Sequence, residues 1–433
     1  MLDGIDLETL ETALKQRALL FAARHLESRL NADHSDNLGP SIPCGCGATA
    51  RYVDRRAKVI TTVLGDITLQ RAYYHCAACG RGFAPRGGAL ELDQSGLSPG
   101  VTRMAAMVGA MTSFAEGALL MHELAGLEVN AKAVERTAKR IGQEVAHDEE
   151  TLVTEQLPPS AVMYTGVDGT GIPMRRAELA GRAGKQPDGS AKTREVKECV
   201  VWTANHLDAA GHPERDEGSE SYSAAIESSQ WNVSQPDETP AFVARVQREL
   251  TRRGFFLANL QVFIGDGARW IWNLAAMIAP QALQIVDLYH AKEHLSVLAG
   301  VIFAPGTDLA QKWAADRHQE LENSQLDDVL TAIAQFTSMP GEKGLRARQE
   351  HAYFLTNRDR MDYARFRAMG LAVGSGIVEA GCRVVVGQRF KRSGMFWSED
   401  GANHLLALRS AMLSHRFDTF WSRRDSLSQR ETG

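Results

Sequence analysis

The stretch AVMYTGVDGTGIP, residues 161–173, decides how the rest of the chain is read. An apolar run from Ala161 to Tyr164 leads through Thr165, Gly166 and Val167 to Asp168, and Gly169, Thr170, Gly171 and Pro173 follow. The pattern predicts a buried strand that ends on a carboxylate. A lone carboxylate in such a place is costly unless it is paired or faces a cation. Asp168 is therefore either a turn residue or the holder of something positive.

The same pattern returns in LQVFIGDG, residues 260–267, where an apolar run ends in Asp266 and Gly267. In both places glycine lets the backbone turn away and leaves the acid at the strand edge. One Asp-Gly pair reads as a turn. Two at the ends of strands in one sheet read as converging carboxylates, because ligands favour strand ends in α/β sheets. Such a pair repels unless one acid is protonated or a cation lies between them. Hard oxygen ligands suit Mg²⁺ or Mn²⁺.

A third acid comes from VGSGIVEAGCRVVVGQRFKRSG, residues 373–394, as Glu379. Ser375 reads as the N-cap of a helix that places Glu379, Arg383, Val386 and Phe390 on one face. The β-branched run Val384 to Val386 weakens the helical signal. Arg383, Arg389, Lys391 and Arg392 set cations beside the acid, which suits phosphate. In VDLYHAKEHL, residues 286–295, Asp287 and His290 form an auxiliary pair after another strand. Whether Asp266 or Asp287 is the second metal ligand stays open. A zinc set of Asp287, His290 and His294 is a rival, ranked lower because it lacks the His-Glu-x-x-His arrangement. Trp270 and Trp272 read as core aromatics; Trp397 reads equally as core or as a stacking platform for a base.

Outward from these acids, the chain of 433 residues predicts several domains. The net charge of -5 argues against a protein basic all over, though a local basic face remains open to phosphates. No stretch reads as a signal peptide or membrane span, so a cytoplasmic location is expected. Residues 1–35 read as a helix with Leu7, Leu10, Leu14 and Ala18 on one face. Residues 44–85 read as a β-hairpin turning at Gly65-Asp66, flanked by Cys44, Cys46, Cys76 and Cys79. Two short cysteine knuckles brought together by a hairpin suit structural Zn²⁺. The Cys44-x-Cys46 half is tighter than usual, and His75 is an alternative ligand; Cys199 and Cys382 read as packing thiols.

Helices at 113–125 and 130–145, with Asn130 as N-cap, resemble a helix-turn-helix. The second carries Lys132, Arg136, Lys139 and Arg140, either a DNA-binding face or an ordinary solvated one. Pro158, Pro159 and Ser160 mark a boundary, and strands then alternate with helices in an α/β pattern. One helix of that region starts near Asp237 or Thr239 and stops at Gly254. Residues 291–370 read as helices throughout.

Taken together, CGCGATARY, TTVLGDITLQRAYYHCAACGRGFAP, SFAEGALLMHELAG, GVDGTGIPM, IGDGARWIW, DLYHAKEHL and GSGIVEAGCRVVVGQRFKRSGMFW resemble a family. From Pro43 to His415 the chain is similar to bacterial insertion-sequence DDE transposases of the ISKra group, allied to Mutator-like transposases. The resemblance implies an RNase H-like α/β catalytic domain with an all-α insertion, preceded by a zinc-binding hairpin and helical DNA-binding segments. It implies Asp168, Asp266 and Glu379 as a triad holding two Mg²⁺ ions, with Asp287 and His290 matching the Cys/Asp-x-x-His signature. Expected activities are nicking of element ends and joining of the 3′-hydroxyl to target DNA, by a homo-oligomer. The alternatives are a catalytically silent DNA-binding regulator on the same scaffold, and an RNase H-like nuclease that does not join strands. The expected organisation is an N-terminal helical segment (1–40), the zinc hairpin (41–90), the DNA-binding helices (91–157), the first catalytic part (158–290), the insertion (291–370), the acidic and C-terminal helices (371–420) and a tail (421–433).

Overall fold

Strand β1 (Ser41–Pro43) pairs with the long strand β2 (Thr49–Thr62), which turns back as β3 (Gly65–His75), and β3 pairs with β4 (Gly82–Phe83) in one antiparallel sheet. The turn lies at Val63 and Leu64, just before the expected Gly65-Asp66, because Thr62 pairs with Gly65 and Gly65 takes the left-handed φ of 112°. Helix α1 (Leu7–Ala32) covers the hairpin with Ala23, Leu26 and Leu30 against Ile60, Ile67 and Leu69. The expected Leu7-Leu14 face is not the packing one, since both leucines are exposed. The docking half of the helix is its C-terminal end, where Asn31 bonds the backbone of Thr68 and Gln70.

This is a computed structural model, and it describes residues 6–90, 92, 96–151, 160–184, 191–209, 211–231 and 238–428. Asp237, Pro158, Pro159 and the end of the tail lie outside the described residues. The chain divides into two units, Met1–Ile141 and Gly142–Gly433.

After the short helix α2 (Pro85–Ala89), the first unit continues with α3 (Pro99–Met111), α4 (Phe114–Ala125) and the start of α5 (Ala131–Thr151). Local chemistry sets these ends. Ser98 caps α3, Ser113 and Glu116 form a reciprocal capping box on α4, and Gly126 closes α4 at a φ of 68°. Asn130 accepts from the Ala133 amide at 2.9 Å, as expected of an N-cap. Val101, Ala105, Met121, Leu127 and Val134 bury the faces that these helices share.

The second unit is built on a mixed five-stranded sheet. Its strands are β5 (Val162–Pro173), β6 (Thr193–Trp202), β9 (Ser221–Ala225), β10 (Leu260–Gly265) and β11 (Leu283–Val286), in the order β11-β10-β5-β6-β9. A small hairpin, β7 (His206–Leu207) and β8 (Pro213–Glu214), lies apart from it. The β10 and β11 pairings with β5 and β10 are parallel; those of β5 with β6 and of β6 with β9 are antiparallel. Val200, Val201, Val262, Phe263 and Ile264 are all buried, as strands covered on both faces require.

Helices α6 (Ala241–Arg252) and α7 (Arg269–Ile278) complete the expected alternation, with Pro240 rather than Thr239 at the N-cap of α6 and Gly254 beyond its end. Then come α8 (Leu288–Phe303), α9 (Asp308–Glu322), α10 (Leu326–Ala334), α11 (Gly341–Thr356) and α12 (Tyr363–Ala368). The chain returns to the sheet with α13 (Gly376–Gly381), a π-helical turn (Cys382–Gly387) and α14 (Gln388–Phe390), followed by α15 (Glu399–Leu413) and α16 (Phe417–Ser428). Helix α15 covers the edge strand β9, where Ser414 and Asn403 accept from the Tyr222 and Ile226 amides. Among the described residues no helix is long and apolar enough to cross a membrane.

Candidate active site

The strand through Asp168 does not end there: β5 stays paired with β6 as far as Pro173. What ends is its parallel neighbour, since the last β5–β10 partners are Gly166 and Ile264. Asp168 thus sits where the sheet loses a strand. Gly169 and Gly171 lie within the strand, and side chains at those sites would press on Glu195 and Thr193. Clearance beside β6, not space for a ligand, is their visible role.

Asp266 follows β10 and Asp287 follows β11, so the carboxyl ends of neighbouring parallel strands deliver both acids to one place. Gly267 takes a φ of 96°, and a side chain there would come within 2.5 Å of the Tyr353 ring. Tyr353 donates to the Asp266 carbonyl at 2.8 Å, so the Asp-Gly turn is clamped from α11. Glu379 arrives on α13. Asp168, Asp266, Asp287, His290 and Glu379 line one cleft of about 350 Å³ with Tyr289, Glu293 and Ser375. The described lining holds five carboxylates and no lysine or arginine, so its uncompensated charge fits a cation. Burial raises the Asp168 carboxyl above the ordinary range, the charges of Asp266 and Glu195 add to the rise, and the Gly169 amide opposes it.

Asp287 differs from the other acids. One oxygen accepts from the Tyr289 and His290 amides at 2.7 and 3.1 Å, capping α8; the other accepts from the amide and hydroxyl of Ser375. Ser375 therefore does not cap α13 with its side chain as expected; it donates to Asp287 instead. Its hydrogen bonds make Asp287 a clamp between α8 and the start of the Glu379 helix, whereas the Asp266 carboxylate accepts from the Ala268 amide at 2.8 Å.

The β-branched run after Glu379 is accommodated by the π-helical turn, which widens the coil over Cys382–Gly387. Arg409, buried and lowered to about 10 by that burial, donates to the Val384 and Val385 carbonyls at 2.6 to 3.1 Å. The turn also brings Cys382 beside Asp168 and Glu198, and burial with those two charges pushes its thiol strongly up. Glu198 is Asp168's cross-strand partner, and sequence alone did not single it out. It is fully buried, among the described residues its oxygens find no donor beyond the neighbouring Cys382 thiol, and burial raises it to about 8. Its only sequence signal is a glutamate on an inward position of an apolar strand.

The basic residues scatter. Arg383, Lys391 and Arg392 are exposed, and Lys391 donates to Thr170 on β5. Arg389 is 0% exposed and lies over the Trp397 ring, so it is a core residue and not the surface phosphate contact expected. Trp397 is buried too, donating to the Phe390 carbonyl at 3.0 Å, which settles it as core. On α5, Lys132 and Arg136 are exposed, while Lys132 and Lys139 both pair with Glu135 and Arg140 is half-buried.

In the first unit the two cysteine knuckles meet. Cys44 and Cys79 sulfurs lie 3.7 Å apart, as do those of Cys46 and Cys76, and all four fall within 4.8 Å. Thiolates around a tetrahedral zinc at about 2.3 Å would be about 3.8 Å apart. Both knuckles end on a left-handed glycine, Gly47 and Gly80, so the tight Cys-x-Cys half closes like its partner. The quartet is compatible with zinc, and among the described residues it is the one such cluster. His75 stands outside it, paired in the sheet with Arg51 and Gly82.

Compared with known proteins, the chain matches no family model and no curated protein.

Proposed function

We propose that this protein is a DDE transposase with an RNase H-like catalytic domain, which nicks the ends of an insertion sequence and joins the freed 3′-hydroxyl to target DNA. The observation that carries the proposal is the cleft: Asp168, Asp266 and Glu379, from three distant segments, line it with Asp287 and Glu293, and its described lining holds no lysine or arginine. The mixed sheet and the helical stretch between β11 and α13 support it, as does the motif resemblance to the ISKra group.

Asp168, Asp266 and Glu379 would hold divalent Mg²⁺ or Mn²⁺. Bound there, the ions would supply an activated water and stabilise the leaving oxygen. The chain's own residues do the rest. Asp287 and Ser375 fix α13 against α8, and with it Glu379. Exposed Arg383, Lys391 and Arg392 offer cations to a phosphate backbone, and Lys132 and Arg136 offer a second basic face on α5. The cysteine quartet would hold a structural zinc that folds the hairpin. A homo-oligomer acting in the cytoplasm, on the nucleoid, completes the proposal.

Purified protein, element-end DNA, a target plasmid and Mg²⁺ test it. The proposal expects end nicks followed by covalent joining to the plasmid. Cleavage without joining would make the protein a nuclease. Salt-sensitive binding with no cleavage under any divalent ion would make it a silent regulator.

A further inference from the structure

His290 reaches the cleft from α8, and behind it runs a chain of hydrogen bonds to α11. His290 Nε2 lies 3.2 Å from His294 Nε2, and His294 Nδ1 lies 2.6 Å from Glu350 Oε2. The other Glu350 oxygen accepts from Arg346 Nη2 at 2.6 Å. Glu350 is 2% exposed, and the Tyr353 ring stacks on His294 at 4.0 Å, holding the imidazole in plane. At its outer end His290 Nδ1 lies 3.8 Å from Glu293 Oε2, on the wall of the cleft.

The donors in this chain have one consistent direction. Glu350, in its ion pair with Arg346, can only accept, so His294 Nδ1 carries a hydrogen. A neutral His294 then has a lone pair on Nε2, and His290 must donate to it from its own Nε2. That leaves the lone pair of His290 on Nδ1, the atom 3.8 Å from Glu293 Oε2 of the cleft wall.

We infer that Glu350, His294 and His290 form a relay that presents His290 Nδ1 to the cleft as a proton acceptor. His290 is the catalytic residue; His294 and Glu350 are positioning residues that set its tautomer and stabilise its imidazolium. The inference rests on the proposed phosphoryl transfer for its substrate. As the attacking oxygen of water, or later of the 3′-hydroxyl, bonds to phosphorus, its proton passes to His290 Nδ1. The bond from phosphorus to the leaving oxygen breaks, and that oxygen takes a proton from solvent. His290 then returns its proton to solvent.

The relay makes an unusual demand of Glu350→Gln. Arg346 holds the amide oxygen, which turns the amide NH₂ towards His294. His294 Nδ1 must then accept, the chain reverses, and the His290 hydrogen moves to Nδ1.

Long-range ¹H–¹⁵N NMR on the full-length protein with ¹⁵N-histidine reads this without any activity, the His290 signals being assigned by His290→Gln. The expected result is a hydrogen on His290 Nε2 in the wild type and on Nδ1 in Glu350→Gln. A wild-type hydrogen on Nδ1, or a tautomer that Glu350→Gln leaves in place, overturns the relay. Should Glu350→Gln not fold, His294→Gln interrupts the same chain and must release the tautomer. In end cleavage, Glu350→Gln and His290→Gln should each lose about a hundredfold while binding DNA as before. Wild-type rates in His290→Gln overturn its catalytic role. A wild type inert on DNA would overturn the transposase proposal, and the tautomers would still decide the relay.

Discussion

Asp287 and Ser375 are joined twice: one oxygen of Asp287 takes both the amide, at 2.6 Å, and the hydroxyl of Ser375, 88 residues further on. With two α8 amides on its other oxygen, Asp287 spends its lone pairs on the frame of the cleft. Asp266, which lines the cleft and whose carboxylate accepts from the Ala268 amide at 2.8 Å, is the second ligand under the proposed function.

Asp287→Asn should therefore be milder than Asp266→Asn. Losing charge-assisted bonds costs about 2 kcal/mol, which should appear as a lower melting temperature and a drop in cleavage of roughly tenfold. Asp266→Asn should melt like the wild type and not cleave. Equal loss of cleavage with equal melting would reverse the assignment.

Glu198 makes stability depend on pH. Its folded-state pKa of about 8 lies above the ordinary 4.5, so the folded protein holds that proton the more tightly. The contribution is fully present below 4.5 and is lost as pH rises towards 8, by about 1.4 kcal/mol per pH unit at most. Urea unfolding at pH 6 and pH 8 should show the decline, and Glu198→Gln should flatten it. Parallel pH profiles would show that Glu198 is not a buried neutral acid.

Arg409→Met should destabilise the protein by roughly 3 kcal/mol, because the carbonyls of Val384 and Val385 lose their donor. The measurement is denaturant unfolding. An unchanged midpoint would mean that the π-helical turn does not depend on Arg409.

Zinc removal should act on the hairpin. Cys76→Ser or a strong chelator should release one zinc per chain and open β2 and β3 to proteolysis, since a structural zinc would contribute about 10 kcal/mol to so small a sheet. Metal analysis finding no zinc in the wild type would contradict the quartet.

How much of this could be read from sequence follows from the range of each signal. The β2–β3 alternation, the Asn130 cap and the order of strands and helices after residue 161 are local, and they stand as expected. The docking face of α1 was misplaced because its leucines are spread along a helix that buries Ala23, Leu26 and Leu30 of its C-terminal half against the hairpin. Arg389 looked like a surface cation because it belongs to a basic run; burial against Trp397 is a tertiary fact. Glu198 and Glu350 carry no motif, and only strand register and helix packing bring them to Asp168 and His294. Asp168 itself was legible as an acid in an apolar strand, but not as one at which the neighbouring strand stops while its own continues.

The central claim is that Asp168, Asp266 and Glu379 act as one metal-dependent site. Cleavage of element-end DNA with Mg²⁺, by wild type and by Asp168→Ala, Asp266→Asn and Glu379→Gln, measures it directly. The account predicts cleavage by the wild type and none by any of the three, with DNA binding kept. Cleavage by Asp168→Ala at the wild-type rate would contradict it.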